Sequence, residues 1–135
     1  MALLALTAGA AGTLRDDTRR PPYAQAAAFI NDHARPGDVV VELQVFPRIP
    51  PGRALQVHLD PAIAWYPVRD EQRALDAAGT TGRIFYVSPG VRSLAGIRPE
   101  AIEAARDGVE PRSWDGLYDV QVVVYAPPHG ARGGA

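Results

Sequence analysis

The stretch "SPGVRSLAG", residues 88–96, gathers the residue types best suited to hold an anion: Ser88, Arg92 and Ser93. A guanidinium meets carboxylate or phosphate oxygens in pairs, hydroxyls add donors, and free backbone N–H groups around Gly90 would complete the cradle. The stretch comes after the apolar run "RIFYV" at the carboxyl end of a predicted strand, where open α/β sheets bind ligands. The competing reading is an ordinary strand-to-helix loop, because serine, proline and glycine are turn formers.

The carboxylates are harder to assign to chemistry. Asp16 and Asp17 stand beside Arg15, Arg19 and Arg20, a mixed-sign cluster expected of a solvated linker. Capping explains Asp70 and Glu71, and Glu100, Glu103 and Asp107 read as the solvated side of a helix. Glu42 is the exception. It interrupts an apolar strand, and a charge there needs a partner unless it lies at the strand's open end. Trp65 and Trp114 have the faces to stack on a sugar, yet large aromatics usually anchor packing. His33, His58 and His129 lack the spacing that sets two ligands on one helix face. The residues therefore predict no catalytic set, no metal site and no cofactor.

Composition narrows the classes further. At 135 residues and 47% hydrophobic, the chain suits one domain with a proper core. A net charge of -1 offers no basic field for a nucleic-acid backbone, so nucleic acid is excluded as a partner. All 14 basic residues are arginine, which with abundant Ala, Gly and Pro reads as codon bias. The absence of cysteine excludes disulfides and thiolate chemistry. No G-x-G-x-x-G, P-loop or G-x-S-x-G motif occurs.

The elements that must position these residues emerge from periodicity. Tyr23, Ala26, Ala27, Ile30 and Ala34 mark one face of a helix that Pro36 and Gly37 stop. "DVVVELQVF" then reads as a strand covered on both faces. A second strand falls within 54–66: "ALQVHL" alternates like one, whereas Asp60 and Pro61 would start a short helix ended by Pro67. "RDEQRALDAAG" is a second helix, "GRIFYVSPG" a buried strand, "RPEAIEAARDG" a third helix and "LYDVQVVVYAPP" a closing strand. Helices alternating with apolar strands predict a small Rossmann-like layered α/β fold, with a mostly parallel sheet of about four strands and flanking helices.

Four regions result: an apolar leader over 1–14, a polar linker over 15–21, an α/β domain over 22–127 and a tail over 128–135 with nothing to bury. The leader is too short to cross a bilayer, which takes ~20 residues. It reads as a signal-like segment, as the trailing end of a membrane helix begun upstream, or as a frayed leader.

The stretch "YAQAAAFINDHARPGDVVVE" resembles the segment after the last membrane helix in GT-C class membrane glycosyltransferases of the protein-mannosyltransferase-like (family 39) type. "AIAWYPV", "GRIFYVSP" and "YDVQVVVYAP" are similar in order and spacing to the later segments of those enzymes, so the likeness spans most of 15–127. The tryptophan–arginine pair often found before that first helix is "PPYA" in this chain. The resemblance implies a non-catalytic, extracytoplasmic C-terminal domain of an enzyme using a polyprenyl-phosphate sugar donor. Its partner would be the membrane-embedded part of that enzyme. Catalytic carboxylates of the family lie in an early loop between membrane helices, so none is carried over. Arg15, Arg19 and Arg20 run against this topology, since arginines beside an apolar segment favour the cytoplasmic side. The alternatives are a free-standing α/β enzyme or anionic small-ligand binder using the Ser88–Gly96 loop, and an interaction module without a ligand.

Overall fold

The computed structural model describes residues 20–44, 54–91, 96–109 and 111–128. Three helices, α1 (Tyr23–His33), α2 (Glu71–Ala78) and α3 (Glu100–Ala105), flank five strands in the described residues. The strands are β1 (Val39–Glu42), β2 (Ala64–Pro67), β3 (Ile84–Pro89), β4 (Arg112–Trp114) and β5 (Val120–Tyr125). They form one sheet in the order β2-β1-β3-β5-β4. The chain moves outward from β1 to β2 and then returns to β1's other side with β3, so the direction of winding reverses between β1 and β3.

Strand alternation divides the core into two layers. Val40, Phe85, Val87, Val120 and Val122 face α1, where Tyr23, Ala26, Ala27 and Ile30 pack on them together with Leu55 and Leu59. Val39, Val41, Ile84, Tyr86 and Tyr125 point the other way, under Ala74 and Ala78 of α2 and Ile102 of α3. The inward face predicted for α1 is thus the buried one, with Ala34 half-buried at its end.

The α/β class holds, but the sheet is mixed and not mostly parallel. β1 pairs in parallel with β2 and β3, whereas β5 runs antiparallel to both β3 and β4. The expectation failed because β4 is a three-residue edge strand, "RSW", with none of the apolar run that marks a buried strand. It returns the chain so that β5 enters the sheet reversed. The second strand is also settled: "AWYP" is β2, while Gln56–His58 is a single 3-10 turn. Asp60 makes an Asx turn, its Oδ1 accepting from Ala62 N at 2.9 Å, and starts no helix. Pro67 is tolerated at the end of β2 because that strand is at the sheet edge and pairs only with β1.

The turn into β1 shows how the amino end of the sheet is locked. Gly37 at φ 94° reverses the chain after α1, a conformation that a side chain would strain. Asp38, beside it, accepts from Arg35 N at 2.8 Å, Arg83 N at 2.8 Å and Arg83 Nε at 3.1 Å, and it forms an ion pair with the Arg83 guanidinium at 2.8 Å. Burial favours the neutral acid, but these donors outweigh it and hold the carboxyl below its ordinary range. The same guanidinium donates to His33 O, joining α1 to the start of β3. Nearby, buried Arg106 donates to Gly79 O at 2.6 Å and to Gly82 O, covering carbonyls left open past the end of α2. Burial lowers the pKa of this guanidinium without discharging it.

Candidate functional site

The opposite end of the sheet is built differently. β1 and β3 end at Glu42 and Pro89, and the carboxyl ends of parallel strands beside a reversal of winding are where α/β sheets open a crevice. Two features meet there, one on each face.

On the α2–α3 face, alternation sets Tyr86 and Ser88 of β3 beside Val123 and Gln121 of β5 in direct cross-strand register. With Leu43, Ile97, Arg98, Glu103 and Tyr125 they line an open cavity of about 470 Å³. The apolar partners lie deeper, and Ser88 and Gln121 stand nearer the strand end. Arg98 and Glu103 are joined on its wall by two contacts, Nε to Oε1 at 3.2 Å and a guanidinium N to Oε2 at 3.1 Å. Tyr86 is 5% exposed, and among the described residues its hydroxyl is the buried side-chain polar atom without a hydrogen-bond partner. Burial, reinforced by Tyr125 and by the charges of Glu103 and Glu71, raises its pKa and keeps it protonated.

Of the predicted anion-binding residues, Ser88 is half-buried on this cavity, whereas Arg92 and Ser93 lie outside the described residues. The backbone donor expected at Gly90 is not free: Gly90 N donates to Asp119 O at 2.6 Å, closing the loop against the chain before β5. Glu71 stands in the first turn of α2 as expected and also accepts from Ile102 N at 3.3 Å, tying α2 to α3, while Glu103, expected on a solvated face, is partly exposed and paired with the exposed Arg98. Asp70, at the start of α2, makes no side-chain capping bond.

On the α1 face stands Glu42, 3% exposed. Trp65 of β2 donates its Nε1–H to Glu42 Oε1 at 2.9 Å. Burial raises the carboxyl pKa to about 7, against the smaller opposite effect of that hydrogen bond. Tyr23, from the first turn of α1, shares a hydrogen bond with Tyr118 at 3.2 Å between hydroxyls, their rings edge to face at 6.2 Å. Burial, the Tyr118 hydroxyl and the Glu42 charge raise the pKa of Tyr23. The group holds a carboxyl able to take or release a proton near neutrality, enclosed between sheet and helix. Its sequence signal was the lone acid in "VVVELQV", together with a tryptophan on the neighbouring strand. Trp65 is therefore more than packing, because its polar atom is spent on Glu42.

Trp114 and Phe29 carry the Arg112 guanidinium at 5.9 and 5.0 Å from their ring centroids. His33 and His58 are exposed, His33 Nδ1 lying 2.8 Å from Phe29 O, and His129 lies outside the described residues. Among the described residues no group of three His, Cys, Asp or Glu could hold a metal, and no helix is long and apolar enough to cross a membrane.

The chain also enters the domain at this end. Leu117 N donates to Arg20 O at 3.2 Å, and a Cβ on Gly116 would collide with that carbonyl and with Pro22. Only glycine allows so close an approach. Beside it Leu117 is 64% exposed. No family model, curated protein or solved structure matches the chain, so the site stands on its own geometry.

Proposed function

We propose that this chain is a non-catalytic, extracytoplasmic accessory domain of a membrane glycosyltransferase that uses a polyprenyl-phosphate sugar donor, and that its partner is the membrane-embedded part of that enzyme. The observation that carries the reading is the docking of Arg20 on Leu117. Arg20, the first described residue, lies at the carboxyl end of β1 and β3, the end that also holds exposed Leu117, the buried Glu42 and the cavity. A domain hung from a membrane segment at that point turns its least satisfied end toward the membrane. The resemblance of "YAQAAAFINDHARPGDVVVE" to the post-membrane segment of GT-C enzymes supports the same reading, since that stretch forms one locked unit of helix, turn and strand. A Rossmann-like kinship is supported by the reversal of winding between β1 and β3 and by helices on both faces.

The DNA upstream of the Met1 codon tests this. The reading frame, or an adjacent gene, is expected to encode several hydrophobic spans. A stop codon directly upstream with no neighbouring membrane protein contradicts the proposal. The cavity favours a second reading, a free-standing binder of small ligands. Its anion-binding form rests on Arg92 and Ser93, outside the described residues.

A further inference from the structure

We propose that the cavity between β3, β5 and α3 binds a neutral, polyhydroxylated small molecule the size of a single sugar ring, held by Ser88, Gln121 and the Arg98–Glu103 pair. The inference stands on the cavity and does not rest on the accessory-domain reading. A free-standing binder would use the same walls.

Charge decides the ligand class. Among the described residues Arg98 is the cation on the lining, and Glu103 already engages it through two contacts, 3.2 and 3.1 Å long. An anion entering would gain Arg98 and meet Glu103, while a cation would meet the reverse, so the pair discriminates against both. What the pair offers is neutral overall, with N–H donors and carboxylate acceptors side by side. Ser88 and Gln121 have the same double character, each able to donate and accept. Tyr86 and Tyr125 have raised pKa values, from burial first and from the Glu103 charge beside them, so both phenols remain O–H groups. A ligand that matches such walls must itself donate and accept without net charge, which describes hydroxyl groups on a carbon ring.

Shape agrees with charge. The cavity, about 470 Å³, lies within the ~300–1,000 Å³ typical of small-molecule sites. At ~30 Å³ per water it has room on the order of fifteen waters, enough for one sugar ring with some of its hydration. Leu43, Ile97, Val123 and the Tyr125 ring provide apolar surface for the C–H faces of such a ring.

The test is a ¹H–¹⁵N NMR titration of the full chain with D-glucose, D-mannose, D-galactose and myo-inositol, against inorganic phosphate and acetate. At least one neutral probe is expected to give saturable shifts at Gly90, Val91, Ile97 and Gln121, and the anions none. Gln121→Ala, at an exposed position of β5, should weaken binding by up to about tenfold, the equivalent of one hydrogen bond, and leave distant amides unmoved. Ser88→Ala, which removes one hydroxyl from the cavity wall, should weaken the same binding by a similar factor. The proposal is overturned if no neutral probe saturates at tens of millimolar, if phosphate or acetate saturates the same amides, or if both variants bind as the parent does. Such a failure leaves the accessory-domain reading where it was, since the upstream DNA decides that separately.

Discussion

Asp38 and Glu42 sit four residues apart on either end of one short strand, both buried at 7% and 3% exposure, and they are treated in opposite ways. Asp38 receives two backbone N–H groups and a guanidinium, and its carboxyl is held below the ordinary range. Glu42 has Trp65 Nε1 as its donor, and its carboxyl is pushed up to about 7. The amino end of β1 is thus a staple, where a charge is buried because its partners are supplied. The carboxyl end keeps an acid that burial makes costly to ionise. Strongly perturbed groups gather at functional ends of proteins, and here the perturbed group shares its end with the cavity and with the point where the chain enters.

The largest expected effect falls at the staple. Asp38→Ala leaves the Arg83 guanidinium and two backbone N–H groups without their acceptor. Loss of one partner of a buried pair costs about 3–5 kcal/mol, and the lower part of that range applies because Arg83 is 22% exposed. Urea unfolding near neutral pH should show a loss of about 3 kcal/mol. A loss under about 1 kcal/mol, the scale of an exposed ion pair, would reduce Asp38 to a surface residue and remove half of the comparison.

Glu42→Gln should do the reverse. The folded protein prefers the protonated acid, with a pKa of about 7 against 4.5 in the open chain, so the favourable contribution is complete below 4.5 and is lost as pH rises to about 7. The parent is therefore expected to lose on the order of 3 kcal/mol across that window. The Gln variant, which keeps the acceptor for Trp65 and never ionises, should match the parent at about pH 4.5 and be the more stable protein at about pH 8. Equal stability of the two on the alkaline side would break the contrast between the two carboxylates.

A smaller change sharpens it. Trp65→Phe keeps an aromatic side chain, though a smaller one, but removes the N–H that favours the charged acid, so the Glu42 pKa should climb above 7. The variant should cost about 1.5 kcal/mol more at about pH 8 than at about pH 5, as expected for a hydrogen bond to a charged group. A pH-independent cost would mean that the indole acts through packing alone.

The contrast also explains what the sequence made legible. The unit of α1, turn and β1 could be read from local signals: a 3.6-residue apolar rhythm, Pro36–Gly37 and a β-branched run. Even the special role of Glu42 was visible as one acid among valines. The antiparallel turn of β5 was not, because it depends on a three-residue edge strand whose residues, Arg112, Ser113 and Trp114, carry no strand pattern and gain order only from pairing with Val120–Val122. The cavity was half legible. Ser88 marked the right strand end, but Gln121 and Glu103 reach it through cross-strand register and helix placement, with Gln121 33 positions after Ser88 in sequence. Likewise Asp38 read only as the start of "DVVVELQVF", since the Arg83 that fixes its charge lies 45 positions away.

The most direct test of the difference between the two ends is a ¹³C NMR titration of the side-chain carboxyls in the parent protein, with Glu42 assigned by comparison with Glu42→Gln. The account predicts a Glu42 midpoint near 7 and an Asp38 midpoint below the ordinary carboxylate range. A Glu42 midpoint close to 4.5, the value of a freely solvated glutamate, would show its charge to be as well met as that of Asp38 and would contradict the claim that the carboxyl end of this sheet is held in reserve.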